Sequence, residues 1–382
     1  MRPTWAEVSL GALRRNYRAV RERVGERVTI CAVVKADAYG HGAIECARTL
    51  EAEGATWFGV TSTEEGVRLR EAGIGGRILL MTGFWRGEEE EVLRHRLTPA
   101  VWEWWQVGGL EAALNKMPGA PRPFPIHIKL DTGMARLGVP EHYLKLFLNR
   151  VASAKDLEIE GVMSHLASAE AMGSDEVERQ AARFAESEQF LRGRGLAPRY
   201  FHLSNSAAVA TRPALFRDMV RPGIALYGYQ LKITGSRAVE SALKVEPVLS
   251  WKTRIISLRE VGAGQGVGYN LTYVTQSPSK IAVLPVGYAD GLNRHLSWRA
   301  DGKGGSLLVR GERVPIAGRV SMDITLADVT GVKGVNVGDE VTILGSDGEQ
   351  CIDAWEHAQL AGTVPYEILC NISKRVPRKF CE

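Results

Sequence analysis

The chain has 382 residues, of which 45% are hydrophobic and 24% are charged, a composition typical of globular proteins and not of disordered or fibrous ones. Its 48 basic and 44 acidic side chains give a formal net charge of +4, which offers no basic footprint for nucleic acid. No stretch approaches the roughly 18 apolar residues of a membrane span, and the N-terminal segment lacks the apolar core of a signal peptide, so we expect a cytoplasmic protein with no nucleic-acid or membrane partner.

Short apolar runs alternate with amphipathic stretches through the first two-thirds of the chain. Each run is too short for a helix and is rich in β-branched or aromatic residues, so each predicts a buried strand. The eight runs are ICAVVK (30–35), WFGVT (57–61), RILLMT (77–82), LTPAV (97–101), PIHIKL (125–130), IEGVMSH (159–165), RYFHLS (199–204) and DMVRPG (218–223).

The stretches between the runs have helical spacing. TEEGVRLREAG predicts a helix that begins with Thr63 as its cap and ends at Gly73, and a longer helix is predicted over 174–195. Strands that alternate with helices indicate a parallel sheet, and eight units in succession favour a closed (β/α)8 barrel over a doubly wound open sheet. We therefore predict an α/β fold whose barrel covers residues 8–236.

After Gly235 and Ser236 the segments are short and separated by glycine-rich turns, which is typical of a mostly-β domain. We assign this C-terminal domain to residues 237–382, and residues 1–7 could pack with it. The loop GAGQGVGYN (262–270) lacks the spacing of a dinucleotide-binding fingerprint and lies in the β domain, so it does not predict a nucleotide site.

The cysteines indicate free thiols in a reducing compartment. They are five in number and form no C-x-x-C pair, so they predict neither a disulfide framework nor a metal site. The residues are Cys31, Cys46, Cys351, Cys370 and Cys381.

Polar residues cluster at or just beyond the ends of the predicted strands. In barrel enzymes the carboxyl ends of the strands form the face where catalytic residues gather. The residues placed there are Lys35 after the first run, Lys129 and Arg136 in and after the fifth, His165 at the end of the sixth, Asn205 and Ser206 after the seventh, and Arg221 in the eighth.

Lys35 is the candidate reactive group of this face. A single strand-end lysine could equally extend its amine to solvent, but Arg136, His165 and Arg221 at the same mouth favour a reactive one. A lysine that loses its charge can form a Schiff base with an aldehyde. Together with a phosphate site after the last two strands, this predicts pyridoxal 5′-phosphate as cofactor. The phosphate site would use the Ser206 hydroxyl and the backbone N–H groups of Gly223 and Ile224.

Over essentially its whole length the sequence resembles the alanine racemases, fold-type III pyridoxal phosphate enzymes. The matching motifs are AVVKADAYGHG (32–42), HIKLDTGMARLG (127–138), HLSNSAA (202–208), RPGIALYG (221–228), VGYN (267–270), PVGYADG (285–291), GRVSMD (318–323) and PYEIL (365–369). The resemblance implies an isomerase that interconverts L-alanine and D-alanine, supplies D-alanine for peptidoglycan, and works as a homodimer with shared active sites.

The resemblance also implies roles for individual residues. Lys35 would hold the cofactor as a Schiff base and act as one of two acid–base groups. Tyr269, from the second subunit, would be the other, with its pKa of about 10 lowered by the cationic pair His165 and Arg221. Arg221 would hydrogen-bond the pyridine nitrogen of the cofactor. The remaining cofactor contacts would come from Tyr39, His165, Asn205, Ser206, Gly223, Ile224 and Tyr366.

The substrate contacts follow from the same resemblance. Arg136 would contact the cofactor's phenolic oxygen and the substrate carboxylate, which the backbone N–H of Met322 would also bind. Tyr288 and Tyr366 would narrow the entrance, and Asp323, beside Met322, would be a supporting residue. Lys129 corresponds to a lysine that is carbamylated in many relatives, which would orient Arg136.

Two positions depart from the family pattern, namely Ser321, where many relatives have cysteine, and Asp37, where asparagine is frequent. Neither is a proton-transfer residue. Three alternatives share the barrel: a broad-specificity amino-acid racemase, which often carries a secretion signal; a basic amino-acid decarboxylase, which fits VGYN and GRVSMD less well; and a non-catalytic pyridoxal phosphate-binding protein, which lacks a C-terminal β domain.

Overall fold

A computed structural model describes residues 2–234 and 243–382. The strands, in chain order, are β1 (Thr4–Ser9), β2 (Thr29–Val33), β3 (Trp57–Val60), β4 (Arg77–Leu80), β5 (Leu97–Val101), β6 (Phe124–Asp131), β7 (Val139–Pro140), β8 (Leu157–Met163), β9 (Tyr200–His202), β10 (Met219–Val220), β11 (Leu249–Arg254), β12 (Ser257–Val261), β13 (Gly266–Val267), β14 (Tyr273–Val274), β15 (Ser279–Leu284), β16 (Ser306–Val309), β17 (Glu312–Pro315), β18 (Thr325–Asp328), β19 (Glu340–Asp347), β20 (Gln350–Ile352) and β21 (Arg378–Cys381).

Helices follow most of the early strands. The α-helices are α1 (Leu10–Val24), α2 (Lys35–Gly40), α3 (Ala43–Ala52), α4 (Thr63–Glu71), α5 (Glu89–Arg94), α6 (Trp104–Lys116), α7 (Leu144–Ser153), α8 (Asp175–Gly193), α9 (Ser206–Thr211), α10 (Ala354–Ala361) and α11 (Pro365–Cys370). Short 3-10 turns lie at Glu141–Tyr143, Pro213–Leu215, Ile224–Tyr227, Tyr269–Leu271, Tyr288–Asp290 and Arg294–Leu296. None of the helices in the described ranges combines the length and apolar character needed to cross a bilayer.

The first compact unit, Leu13–Ala38 with the described part of Ala43–Glu246, is the barrel. Its strands pair in parallel in the order β10-β2-β3-β4-β5-β6-β8-β9, with β7 beside β6. Backbone hydrogen bonds from Asp218 to Phe201 (3.1 Å) and from Arg221 to Ser204 (2.9 Å) join the remaining two edges. The predicted (β/α)8 barrel is therefore confirmed, and each of the eight apolar runs overlaps one barrel strand.

The second unit contains the residues up to Ala12, Tyr39–Gly42 and Pro247–Glu382. Its main sheet has the order β17-β16-β19-β11-β1-β21, with β20 on β19, and smaller sheets join β12-β15-β18 and β13-β14. The unit is mostly β, as predicted. The predicted domain boundary between residues 236 and 237 falls within 235–242, outside the described residues.

One local prediction needs correction. The N-cap of α4 is Ser62 and not Thr63, because the Ser62 hydroxyl accepts from the Glu65 N–H at 3.1 Å while Thr63 is the first helical residue.

Candidate active site

Lys35 lies at the start of a left-handed turn. The barrel strand β2 ends at Val33, and Ala36, Asp37, Ala38 and Tyr39 then have φ between 51° and 55°. L-residues in this conformation cost about 1–2 kcal/mol each, because Cβ approaches the following carbonyl oxygen. Consecutive residues of this kind occur where the surrounding structure over-determines the backbone, and such places are frequently functional sites.

Side chains from elsewhere hold this turn. Within the barrel unit, the Ala36 N–H donates to Oε1 of Glu65 (2.6 Å), and Oδ1 of Asp37 accepts from the Ala43 N–H (2.8 Å). An asparagine at position 37 would offer the same acceptor oxygen to the Ala43 N–H, since its amide carbonyl is also an acceptor.

Gly40 closes the turn within the β unit. Its φ is 82°, and a Cβ on it would lie 2.5 Å from the carbonyl oxygen of Leu369. Nε of Arg378 donates to its carbonyl at 2.9 Å. Glycine is required here by both the backbone conformation and the close approach of another backbone segment.

Lys129 is the most perturbed cation at the barrel mouth. It extends from β6, is 4% exposed, and donates to the Met81 carbonyl at 2.8 Å. Burial lowers the pKa of its amine to about 7, with further lowering by the positive charges of Arg221, Arg136 and Lys35. The structure therefore brings together four cations that the sequence placed at the ends of three strands, and a pKa of about 7 makes the neutral form of Lys129 accessible near neutral pH.

His165 follows β8 and is neutral at physiological pH. Burial lowers the pKa of its imidazole to about 3, and the charges of Arg221, Arg136, Lys129 and Lys35 act in the same direction. The sequence-based expectation that His165 forms a cationic pair with Arg221 is therefore wrong for His165, because a ring surrounded by cations does not gain a proton.

Arg221 is 3% exposed and is fixed by several acceptors. Nη1 donates to Nδ1 and to the carbonyl of His202 (2.8 and 3.0 Å), while Nη2 donates to the Ser164 carbonyl (2.6 Å) and lies 3.4 Å from Nδ1 of His165. Burial lowers the pKa of this guanidinium to about 10, so it still carries its charge at neutral pH.

Ser206 and Gly223 are neighbours at the ends of β9 and β10. The Ser206 oxygen accepts from the backbone N–H groups of Gly223 (2.8 Å) and Ala225 (3.3 Å), which leaves the hydroxyl proton as a donor. Asn205 instead caps α9, since its Oδ1 accepts from the Ala208 N–H at 3.1 Å. Ile224 begins the 3-10 turn that follows Gly223.

The β unit brings together a second group of predicted residues. The rings of Tyr39 and Tyr366 lie 5.9 Å apart between centroids, although the two residues are far apart in sequence. Tyr269 begins a 3-10 turn in which Asn270 and Leu271 have positive φ, and its side chain is 69% exposed.

Tyr288, Met322 and Asp323 form one local structure in the same unit. The Tyr288 N–H donates to the Ser321 carbonyl (3.0 Å), and the Ala289 N–H donates to that of Met322 (3.1 Å). The Ser321 hydroxyl spans the turn, since it donates to the Ile324 carbonyl (2.6 Å) and accepts from the Ile324 N–H (3.2 Å). The departure at position 321 thus supports the loop that presents Met322.

Asp323 is held by arginines. It lies 2.7 Å from Nη2 of Arg375 and 3.6 Å from Nη1 of Arg2, and the same arginines contact the buried Asp290. These ion pairs connect the residue after Met322 to Arg2 and Arg375.

Sequence reasoning missed His127 and His202, which connect Arg221 to the barrel interior. Nε2 of His202 lies 2.9 Å from Nδ1 of His127, and both residues are fully buried. Both lie in motifs quoted above, HIKLDTGMARLG and HLSNSAA. The available signal was a histidine within an otherwise apolar buried strand, where a polar ring needs a partner.

Comparisons with known proteins agree in one family. The model of the alanine racemase N-terminal domain matches residues 8–231, and that of the C-terminal domain matches residues 248–380. An alanine racemase of Geobacter sulfurreducens is 42% identical over 99% of this chain and 97% of that protein. The structure of alanine racemase from Bacillus anthracis with bound L-Ala-P has a TM-score of 0.90 at 34% identity, covering 100% of this chain and 96% of that one. The Clostridium difficile alanine racemase in complex with cycloserine has a TM-score of 0.89 at 31% identity, covering 100% and 96%.

Proposed function

Because the chain belongs to the alanine racemase family, we propose that Lys35 and Tyr269 are its two proton-transfer residues. The enzyme is an isomerase that depends on pyridoxal 5′-phosphate and interconverts L-alanine and D-alanine, the latter for peptidoglycan. The observation that carries the assignment of Lys35 is the cluster of cations at the barrel mouth, where Lys35 is close enough to lower the pKa of both Lys129 and His165.

The residues present fit the cofactor. Lys35 supplies the amine for its aldehyde, the hydroxyl proton of Ser206 and the backbone around Gly223 and Ile224 supply donors for its phosphate, and Arg221 supplies an N–H for its ring nitrogen. Tyr39, His165, Asn205 and Tyr366 complete the proposed set. When bound, pyridoxal phosphate supplies the electron-withdrawing ring that acidifies the Cα–H of the attached amino acid.

Racemisation needs one group on each face of the substrate carbon, since a proton leaves one side and returns to the other. We assign one face to the amine of Lys35 and the other to the phenol of Tyr269, each acting as base in one direction and acid in the other. We assign neutral His165, whose Nδ1 lies 3.4 Å from Nη2 of Arg221, to link Arg221 toward Tyr269.

Arg221 also limits the reaction that follows proton removal. Its pKa of about 10 keeps the guanidinium protonated, and a guanidinium donates a hydrogen bond to the ring nitrogen without transferring the proton. Arg221 would therefore leave the pyridine nitrogen of a bound cofactor unprotonated, which would make it a weaker electron sink than one paired with a carboxylic acid. This favours rapid return of a proton to Cα over transamination.

Substrate recognition is assigned to Arg136 and to the backbone N–H of Met322, with Tyr288 and Tyr366 at the entrance and Asp323 as support. Lys129 is the proposed carbamylation site. The neutral amine forms an N–C bond to carbon dioxide and loses a proton, giving an anion. A pKa of about 7 makes that neutral amine abundant, and the product would exchange repulsion from Arg136 for attraction.

A homodimer with shared active sites is proposed from the exposed surface of the β unit. Tyr269 (69%), Leu271 (61%), Met322 (53%) and Val274 (48%) are large apolar or aromatic side chains exposed in the single chain. Large exposed side chains of this kind are typical of an interaction surface, and two of them, Tyr269 and Met322, are the residues assigned to catalysis and substrate binding.

We also propose that the two domains divide at 236 and 237, as the family models support by ending one match at 231 and beginning the next at 248. A cytoplasmic location is proposed from the free buried thiol of Cys31.

The test uses the purified protein with pyridoxal phosphate and L-alanine. Chiral chromatography should detect D-alanine, and borohydride treatment followed by peptide mapping should find the reduced cofactor on Lys35. The Lys35→Ala variant should lose both signals, whereas Lys116→Ala, at the exposed end of α6, should keep them. A reducible adduct in the Lys35→Ala protein would contradict the assignment, and faster turnover of serine or lysine than of alanine would favour a broad-specificity racemase.

A further inference from the structure

A chain of polar groups continues from Arg221 through the interior of the barrel. His202 accepts from Arg221 and lies 2.9 Å from His127, whose Nε2 faces Oε2 of Glu160 at 3.6 Å. Arg77 binds both carboxylate oxygens of Glu160, at 2.9 and 2.6 Å, and its side chain is 39% exposed. The chain therefore connects the guanidinium at the mouth with a solvent-accessible ion pair among residues of β4 and β8.

The barrel backbone leaves space for this chain of polar groups. A Cβ on Gly161 would lie 2.5–2.7 Å from three ring atoms of His127, so a side chain at this position is incompatible with the observed imidazole. The His127 ring also packs against Trp57 at 5.3 Å between centroids. These contacts fix the plane of the ring between His202 and Glu160.

Both histidines in this chain of polar groups, His202 and His127, are neutral. Burial lowers the pKa of His202 well below its ordinary value, helped by the charge of Arg221, and burial likewise lowers the pKa of His127. A neutral imidazole has one N–H donor and one acceptor nitrogen. Each ring must therefore adopt one of two tautomers, and the neighbours decide which.

The groups at the two ends of this chain of polar groups, Arg221 and Glu160, determine these tautomers. Arg221 has donors only, so Nδ1 of His202 must be the acceptor and Nε2 of His202 must carry the proton. That proton points to Nδ1 of His127, which must accept, so the His127 proton is on Nε2. Nε2 of His127 is too far from the Glu160 oxygen for a hydrogen bond, and among the described residues it has no other partner.

Glu160 is suited to be the acceptor at the end of this chain of polar groups, because its carboxyl group is ionised. Burial alone raises the pKa of its carboxyl, but the interactions with His127 and Arg77 outweigh burial, and the pKa is lowered overall. The carboxylate is an obligate acceptor that faces the N–H end of the His127 ring.

We propose that Glu160 is a positioning residue for Arg221: its negative charge keeps the proton of His127 on Nε2, which keeps Nδ1 of His202 free to accept from the guanidinium. The proposal rests on the cofactor-binding role proposed for Arg221. Arg77 holds the Glu160 carboxylate in place from the solvent side.

Loss of the negative charge of Glu160 would change the direction of the hydrogen bonds along this chain of polar groups. A glutamine at position 160 can turn its NH₂ group toward His127, which favours a proton on Nδ1. That proton would oppose the N–H of His202, and a flip of His202 would then place an N–H against the donor of Arg221. Either conflict displaces the guanidinium.

The first experiment measures the tautomers directly, by ¹⁵N NMR of the holoenzyme labelled at histidine. Signals are assigned by difference against His127→Asn and His202→Asn. In the native protein Nδ1 of both rings should resonate as an acceptor and Nε2 as N–H. A native His127 with its proton on Nδ1 overturns the proposal without any variant at position 160.

The second experiment compares Glu160→Gln with Glu158→Gln, the same substitution at an exposed position of the same strand. Glu160→Gln should give mixed tautomers at His127 and lower kcat by about 10-fold, since misplacement of a supporting group can cost up to about 10²-fold. Glu160→Asp should restore a single tautomer, and Glu158→Gln should match the native protein.

A single Nε2–H tautomer in folded Glu160→Gln contradicts the proposal. Because the NMR measurement does not depend on turnover, that outcome is separate from a failure of the racemase assignment, which the Lys35→Ala experiment reports.

Discussion

The lowered pKa of Lys129 should make the free energy of unfolding depend on pH, and a substitution of Lys129 should remove this dependence. Burial and three neighbouring cations lower the pKa of its amine from 10.5 to about 7. In carbon dioxide-free buffer the unfolded chain binds a proton at Lys129 between pH 7 and pH 10.5 that the folded chain has released. The free energy of unfolding therefore rises with pH in this window, by about 1.4 kcal/mol per pH unit from this group.

Lys129→Met keeps the length of the side chain and removes the charge. At pH 7 the lowered pKa of Lys129 costs the native protein about 5 kcal/mol of stability, which is the pKa shift multiplied by about 1.4 kcal/mol per pH unit. The variant does not have this cost. It also leaves the Met81 carbonyl without the amine donor, which costs about 1–3 kcal/mol. We expect a variant more stable by about 2–4 kcal/mol at pH 7, with the difference declining as pH increases toward 10.5.

The assay is urea unfolding of both proteins at pH 7, 8 and 9, prepared without carbon dioxide and repeated with ¹³C-bicarbonate. Bicarbonate should stabilise the native protein and give a carbamate ¹³C signal, and it should have neither effect on Lys129→Met. Lys116→Met, at an exposed position, serves as the control. A stability difference that does not change between pH 7 and pH 9 would refute the reasoning, because the pH slope comes only from the shifted pKa.

Two further predictions concern the reaction. Arg221→Glu should raise the amount of pyruvate formed per racemisation, because a carboxyl partner permits protonation of the ring nitrogen; an unchanged ratio in a folded variant would show that Arg221 does not control the electron sink. Mixing Lys35→Ala with Tyr269→Phe subunits should restore about a quarter of the native activity, since half of the randomly formed dimers are mixed and each has one intact site. Mixed dimers, verified by mass spectrometry, that remain inactive would place Tyr269 in the same subunit as its Lys35 or outside catalysis.

Strand positions were predictable because the barrel buries both faces of each strand, and a short run of β-branched and aromatic residues has few other uses. The placement of Lys35, His165 and Arg221 at one face followed from the same reasoning, since parallel strands end on the same side. The cap of α4 was misassigned between Ser62 and Thr63 because both hydroxyls suit an N-cap, and only the backbone geometry distinguishes them.

Other features depend on contacts between distant segments. The neutrality of His165 results from burial beside cations that come from separate strands, so no local pattern could indicate it. The pairing of His127 with His202 requires the register of β6 and β9, which are both next to β8. The left-handed turn after Lys35 contradicts the local preference of Ala36 and Ala38, both of which favour right-handed helix.

That turn has a consequence that concerns chirality. A left-handed helical turn is the mirror image of an ordinary one, so the penalty that L-alanine experiences at Ala36 and Ala38 is absent for D-alanine, which favours positive φ. Chemical synthesis of the segment with D-alanine at these two positions should yield a backbone with less strain than the encoded one. Beside Lys35, this enzyme therefore has a stretch of chain into which the D-enantiomer made by its own reaction would fit better than the L-residue from which it is built.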